Sequence, residues 1–249
     1  MAIWRTRWAR WKSRKLISMP DPRDHLKQQA AEAAVKFIKS GMVVGLGHGS
    51  TVRHAFVALA GKLKSGELRD LICIPVSSQT EAEADRLGLP LGDLNEVGTI
   101  DLTIDGADEV DPQLNLIKGG GGALLREKVV AQASRREIIV VDEAKLSDTL
   151  GTKHPLPIEV APFGWKAQLD FVKTLGGSAE IRLHAIGRPA LSDQGAYLLD
   201  CDFGRIADPA GLARSLERRG GILEHGLFLG LATDVIVAGV NGLRHLKAS

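Results

Sequence analysis

What most constrains this chain is an alternation. Short apolar runs recur between stretches with helical periodicity, and a glycine-rich turn closes several of the runs. From Pro22 onward the helical stretch "HLKQQAAEAAVKFIKSG" gives way to the apolar "MVVGLG", a glycine turn and the helical "TVRHAFVALAGKLKSG". The same beat continues through "LICIPVSS" and "QTEAEADRLG", the long strand-like "TIDLTIDGADEVD", a glycine run with the helix "ALLREKVVAQASR", and the strand "REIIVVDEA". Runs of this length, apolar throughout and separated by helices, predict an α/β fold built on a parallel sheet. Such sheets gather ligand loops at the carboxyl ends of their strands, so "GLGHGST", "DGAD" and "KGGGG" are expected on one rim.

After Gly151 the beat changes. "HPLPIEVAP", a helix from "GWKAQLDFVKTLG", two strands around a turn at "RPALSDQG" and a helix "DPAGLARSLERRG" predict a small α+β unit. The last stretch, "GLFLGLATDVIVAGVNGLRHL", reads as an apolar strand followed by a short helix, with the strand free to rejoin the first sheet. These readings divide the chain into an extension over 1–21, a core over 22–151 and 227–249, and a small domain over 152–226.

Residues 1–18 stand apart: Trp4, Trp8 and Trp11 recur at helical spacing among six basic residues and no acid, the pattern of an interfacial helix. Without a long apolar segment it is no secretory signal, and a dispensable extension, or a start assigned too early with Met19 as the true start, is the simpler expectation. The overall charge of +2 becomes −4 once those six bases are set aside. A mildly acidic body with 4% aromatic residues offers neither a basic face nor a stacking platform, which argues against nucleic acid as partner. No apolar run is long enough to span a membrane. Cys73 and Cys201, far apart and in apolar surroundings, read as buried thiols of a reducing, cytoplasmic compartment.

In "GLGHGST", Gly45 to Thr51, backbone N–H groups and a helix start face outward, and Ser50 and Thr51 add hydroxyls, a setting suited to phosphate. It lacks the P-loop lysine, and Ser50 stands where a dinucleotide fingerprint needs glycine. An ordinary tight turn fits equally well. Asp105 and Asp108 of "DGADEVD" serve as turn and cap residues or, side by side on a rim, as acceptors for sugar hydroxyls. The seven histidines are scattered without metal-ligand spacing, so no catalytic transition metal is expected. In "IKGGGGALLREK", Lys118 precedes four glycines and Glu127 falls about a turn into the helix. Taken alone, Glu127 reads as a surface acid near a positive helix end, and Arg126 and Lys128 as solvent or partner contacts. An anion loop, two acids, a cation and a carboxylate base on one rim would instead suit proton transfer beside the carbonyl of a phosphosugar.

These segments carry a resemblance. "GLGHGSTV", "DLTIDGADEVDPQLNLIKGGGGALLREKVVA" and "VVDEAKLSDTLG" resemble the type A ribose-5-phosphate isomerase family, and the likeness runs from about Lys27 to Leu246. It implies interconversion of ribose 5-phosphate and ribulose 5-phosphate without metal or organic cofactor, in a homodimer with a Rossmann-like parallel core and an inserted small α+β, ferredoxin-like domain. Carried onto matching positions, it makes Glu127 the base that moves a proton through an enediolate, with Asp105 and Asp108 binding hydroxyls and assisting ring opening. Lys118 and the backbone of Gly119, Gly120 and Gly121 would stabilise negative charge. His48, Gly49, Ser50 and Thr51, together with Gly106, Ala107 and Lys145, would complete the substrate pocket. His48 departs from the family, which usually has threonine there; an imidazole in that place is expected to donate a hydrogen bond or a charge to phosphate. The turn "SDQGAY", with Ala196 in place of the more usual asparagine, is expected to lie apart from the catalytic segments. Two other readings compete: a transferase of related fold with Glu127 as nucleophile toward a thioester, and a phosphosugar sensor without turnover.

Overall fold

Runs of four to six apolar residues bounded by turns can hide both faces only as central strands, and that is what they form. The computed structural model describes residues 24–248, so the tryptophan-bearing segment and its expected helix lie outside the described residues. Helix α1 (Asp24–Val35) leads to β1 (Val43–Leu46), α2 (Ser50–Lys64), β2 (Ile72–Pro75) and α3 (Ser78–Arg86). After a single turn, α4 (Leu94–Val97), come β3 (Leu102–Asp105), the two-residue strands β4 (Glu109–Val110) and β5 (Leu116–Ile117), helix α5 (Leu124–Gln132) and β6 (Glu137–Asp142). Strands β7 (Leu156–Val160), β8 (Ser178–Ile181), β9 (Tyr197–Asp202) and β10 (Ile222–His225) follow, with α6 (Lys166–Thr174) and α7 (Pro209–Glu217) between them. The described chain ends with β11 (Leu227–Phe228), β12 (Asp234–Gly239) and β13 (Gly242–Lys247).

The main sheet has the order β13-β12-β6-β3-β1-β2, parallel except at β13. Period-two alternation along β6 divides its core. Ile138 and Val140 meet Ala30, Ala34 and Phe56 of α1 and α2, whereas Ile139 and Val141 meet Ala131 of α5 on the other face. Each such buried aliphatic side chain contributes roughly 1.5–3 kcal/mol. The final segment departs from expectation: "NGLRHL" is no helix but the antiparallel edge strand β13, joined to β12 through Val240 and Asn241, with Gly239 paired to Gly242. Its mostly exposed, basic side chains suit an edge that must not recruit another strand.

The second sheet, β10-β7-β9-β8, is antiparallel throughout. Strand β10, absent from the sequence reading, completes a β-α-β-β-α-β order, the ferredoxin-like arrangement. A third small sheet, β11-β5-β4, was also unforeseen, because "TIDLTIDGADEVD" breaks after Asp105 instead of running on as one strand. Helix α5 lies between the main sheet and β10 with β7, so it is buried on two sides.

Candidate active site

The carboxyl ends of β1 and β3 lie side by side in register, with Leu46 opposite Ile104, so their loops emerge together. Asp105 closes β3 with its carboxylate 1% exposed. Its Oδ1 accepts from the backbone N–H of His48 at 2.9 Å and of Gly106 at 2.7 Å, and its Oδ2 lies 2.8 Å from Lys118 Nζ. Lys118, placed by β5, donates also to Gly106 O at 2.6 Å and to Glu127 Oε1 at 3.0 Å. Three acceptors thus meet the three protons of one buried ammonium. Burial alone would strip that proton, but Asp105 and Glu127 outweigh it and hold the lysine above its usual value.

Glu127 is 4% exposed, not a surface acid. The surface reading assumed that α5 keeps a solvent face, and packing on both sides leaves it none there. Desolvation raises Glu127 most; Lys118 pulls against it and Asp105 adds to it, and the carboxyl is pushed up to about 8. Its Oε2 is buried and has no hydrogen-bond partner among the described residues. Asp108 sits across the loop with Oδ2 accepting from Gly120 N at 2.7 Å. Burial would raise Asp108, but His154, Lys145, the Gly120 N–H and Lys118 together hold it below the usual carboxylate range.

The glycines between Lys118 and α5 answer to two demands. Gly122 has φ +90° in the turn where its N–H reaches Gly119 O at 3.0 Å, a conformation costly for other residues. At Gly121 a Cβ would stand 2.4 Å from His48 Cδ2, so the first and third loops touch there. His48 is half-buried, and its Nδ1 lies 2.9 Å from Ser77 Oγ. Gly49, Ser50 and Thr51 open α2, where Gly49 (φ +121°) gives no side-chain cap, leaving the first N–H groups of the helix available. Gly106 supplies the carbonyl for Lys118, Ala107 lies between the two acids, and Lys145 acts on Asp108 through its charge from a turn after β6. The three loops therefore share a rim.

Several groups at the rim escaped the sequence reading. Lys27 of α1 donates to Ser50 Oγ at 3.2 Å, which adds a cation to the opening of α2. Arg182 of the strand region after β8 donates to Gly119 O at 3.0 Å and Gly120 O at 3.1 Å, while Asp200 of β9 holds its guanidinium. The turn of "SDQGAY" is not remote: Asp193 Oδ2 accepts from Ser78 N at 2.7 Å and lies 3.6 Å from Arg126 Nη1. Lys128 is likewise no solvent contact. It is buried, with Nζ donating to Glu224 Oε1 at 2.5 Å and His225 O at 2.7 Å. The Phe228 ring lies between it and the site, 5.0 Å from Lys128 Nζ and 5.5 Å from Lys118 Nζ. None of these partners is near in sequence, and those of Gly119, Gly120 and Lys128 come from the second sheet, whose docking no local pattern announces.

Comparison with known proteins places this sequence and fold. Residues 72–242 match the family model for ribose 5-phosphate isomerase A (phosphoriboisomerase A). The ribose-5-phosphate isomerase A of Chloroflexus aurantiacus is 54% identical over 223 residues, covering 90% of this chain and 93% of its own. A D-ribose-5-phosphate isomerase solved in complex with phospho-erythronic acid superposes with a TM-score of 0.88 at 40% identity, over 90% of this chain and 98% of that one. The Plasmodium falciparum ribose 5-phosphate isomerase gives 0.87 at 38%, over 90% and 98%. With a fold and a sequence that agree along nine-tenths of its length, the chain belongs to the ribose 5-phosphate isomerase A family.

Proposed function

We propose that the chain interconverts D-ribose 5-phosphate and D-ribulose 5-phosphate by proton transfer through an enediolate, with Glu127 as the general base. The observation that carries this is the shared ammonium: Lys118 fixes one oxygen of Glu127 and leaves the other buried and unpartnered. In the aldose, Glu127 Oε2 takes the proton from C2 while the C1 carbonyl gains the electron pair. The protonated carboxyl then returns that proton to C1, and the hydroxyl proton on O2 passes to O1, leaving the ketose. The N–H groups of the glycine loop offer donors to the oxyanion, and the Lys118 ammonium, its protons engaged, adds its positive charge beside them, prearranged before substrate arrives. Asp105 and Asp108 accept from sugar hydroxyls and assist ring opening, with Lys145 beside Asp108. The phosphate sits at the opening of α2, where N–H groups, Ser50, Thr51 and Lys27 converge.

A base near neutrality suits abstraction of a carbon acid's proton better than an ordinary glutamate would. Because the base must be ionised, kcat/KM should fall as pH drops below about 8, well above the usual glutamate range. Glu127→Gln should lower turnover by at least ~10²-fold in a coupled assay of ribose 5-phosphate conversion; near-normal turnover would sink the assignment. Lys118 supplies the positive charge beside Glu127, so activity should survive a chelator, and metal-reversible loss would overturn the metal-free chemistry. Binding of ribose 5-phosphate without turnover in the wild type would favour a sensor instead, and a covalent glutamyl adduct with acyl-CoA a transferase. The reading extends to a cytoplasmic homodimer, supported by the family resemblance and by Cys73 and Cys201 remaining free, buried thiols.

A further inference from the structure

The protons around His48 can be placed from the chemistry of its partners. The carbonyl of Gly47 can only accept, so the Thr80 hydroxyl, 3.1 Å away, donates to it. With that proton spent, Thr80 Oγ1 accepts from Ser77 Oγ at 2.9 Å. Ser77 Oγ has then given up its own proton. It accepts from Thr80 N–H at 3.0 Å and, at 2.9 Å, from His48 Nδ1–H. Ser77 and Thr80 are each 3% exposed, which leaves solvent little chance to swap these roles. The relay thus puts the imidazole proton on Nδ1 and leaves Nε2 with a bare lone pair.

Nε2 has no hydrogen-bond partner among the described residues. It borders the glycine loop: a Cβ on Gly121 would lie 2.6 Å from it. The charged groups that face the ring are Asp105 and Asp108 from the end of β3 and its loop, Lys118 after β5, and Asp193 from the turn before β9. Burial and Lys118 disfavour a second proton, and they outweigh the three acids, so the ring stays neutral. At Nε2 a neutral ring protonated on Nδ1 can accept but cannot donate. Phosphate oxygens are themselves acceptors and gain nothing there, whereas a sugar hydroxyl does.

We propose that His48 reads a substrate hydroxyl: its Nε2, held unprotonated by the relay through Ser77 and Thr80 to Gly47, accepts a hydrogen bond from the sugar chain. This reverses the expectation that an imidazole here donates to phosphate. It also distinguishes the chain from relatives with threonine, whose hydroxyl can act in either sense and so discriminates less. The inference rests on the proposed phosphopentose substrate, and its test separates the two.

Nitrogen-15 spectra of histidine-labelled protein, with the His48 signals identified by their loss in His48→Phe, should show Nδ1 protonated and Nε2 bare near pH 7.5 without substrate. Saturation with ribose 5-phosphate should move the Nε2 signal in the direction of an accepted hydrogen bond. That shift needs binding but no turnover, so it would stand even if the isomerase reading failed. A protonated Nε2 in the free protein, or a signal indifferent to saturating ribose 5-phosphate, would overturn the proposal. In kinetics, His48→Phe, which keeps a ring against Gly121 without the acceptor, should raise KM about 3- to 10-fold and change kcat less than about 2-fold, the scale and pattern of one uniformly binding neutral hydrogen bond. An unchanged KM would refute it. If that variant does not fold, His48→Gln identifies the same signals and the wild-type spectra decide.

Discussion

Glu137 shows how a single buried residue can register the charge of a whole site. It opens β6 beside Thr103, is 2% exposed, and neither carboxylate oxygen has a hydrogen-bond partner among the described residues. Burial, with Asp105 and Glu127 adding and Lys118 opposing, raises it well above the ordinary glutamate value, so it is held as the neutral acid. The folded state then binds a proton that the unfolded state releases. Its contribution to stability is full below the unfolded value of about 4.3 and is lost progressively as pH rises from there through the raised folded value. Glu137→Gln, which cannot ionise, should remove part of that decline: urea midpoints across this range should diverge, with the variant gaining on the wild type as pH rises. Parallel curves would show that Glu137 does not titrate with folding. In the sequence Glu137 was merely the second letter of the run "REIIVVDEA", and Glu127 stood out as the proposed base only beside Asp105, Asp108 and Lys118 and through the family resemblance they carry. Their meaning is set by desolvation, which depends on what other segments cover them. Asp105, Asp108 and Lys118 were easier to read, because strand ends and glycine turns place them on a rim by local rules.

Among the elements, α5 and the glycine loop before it owe their position to strands far away in sequence. Arg182 spans from Asp200 to the carbonyls of Gly119 and Gly120 and so fixes the orientation of those two peptides. Arg182→Met keeps much of the packing and loses the donors. It should lower kcat/KM by roughly 10-fold, the scale of one charge-assisted hydrogen bond, and speed amide exchange at Gly119 to Gly122. Slow exchange and full activity would show that the loop holds itself. The βα rhythm from α1 to β6 was legible because each run is apolar, bounded by turns and followed by a periodic helix. Strands β10 and β13 were not, for a common reason. "ILEH" and "GLRHLK" mix polar and apolar residues, as strands with exposed positions do, and nothing local separates that mixture from a loop or a helix end.

For the whole molecule, the parallel sheet and the ferredoxin-like sheet each have their own apolar core, and the second lies inside the sequence of the first. No described helix is long and apolar enough to cross a membrane. Two cores of this kind suggest that each sheet could hold together alone, and the sequence supported that division by its change of rhythm at Gly151. It did not announce the traffic between them. Replacing residues 156–225 by a short linker should therefore leave a chain that keeps much of its parallel-sheet circular dichroism and has no measurable isomerisation; retained activity would refute the dependence. Lys128, one position from Glu127, is bound to Glu224 and His225 of β10, and Arg182 grips the glycine loop from the same side. An insertion normally stays optional for its host, free to drift, shrink or be lost in descent. Here the guest holds the loop and helix that carry Glu127, so on the proposed mechanism a chain that lost the insert would lose the reaction with it.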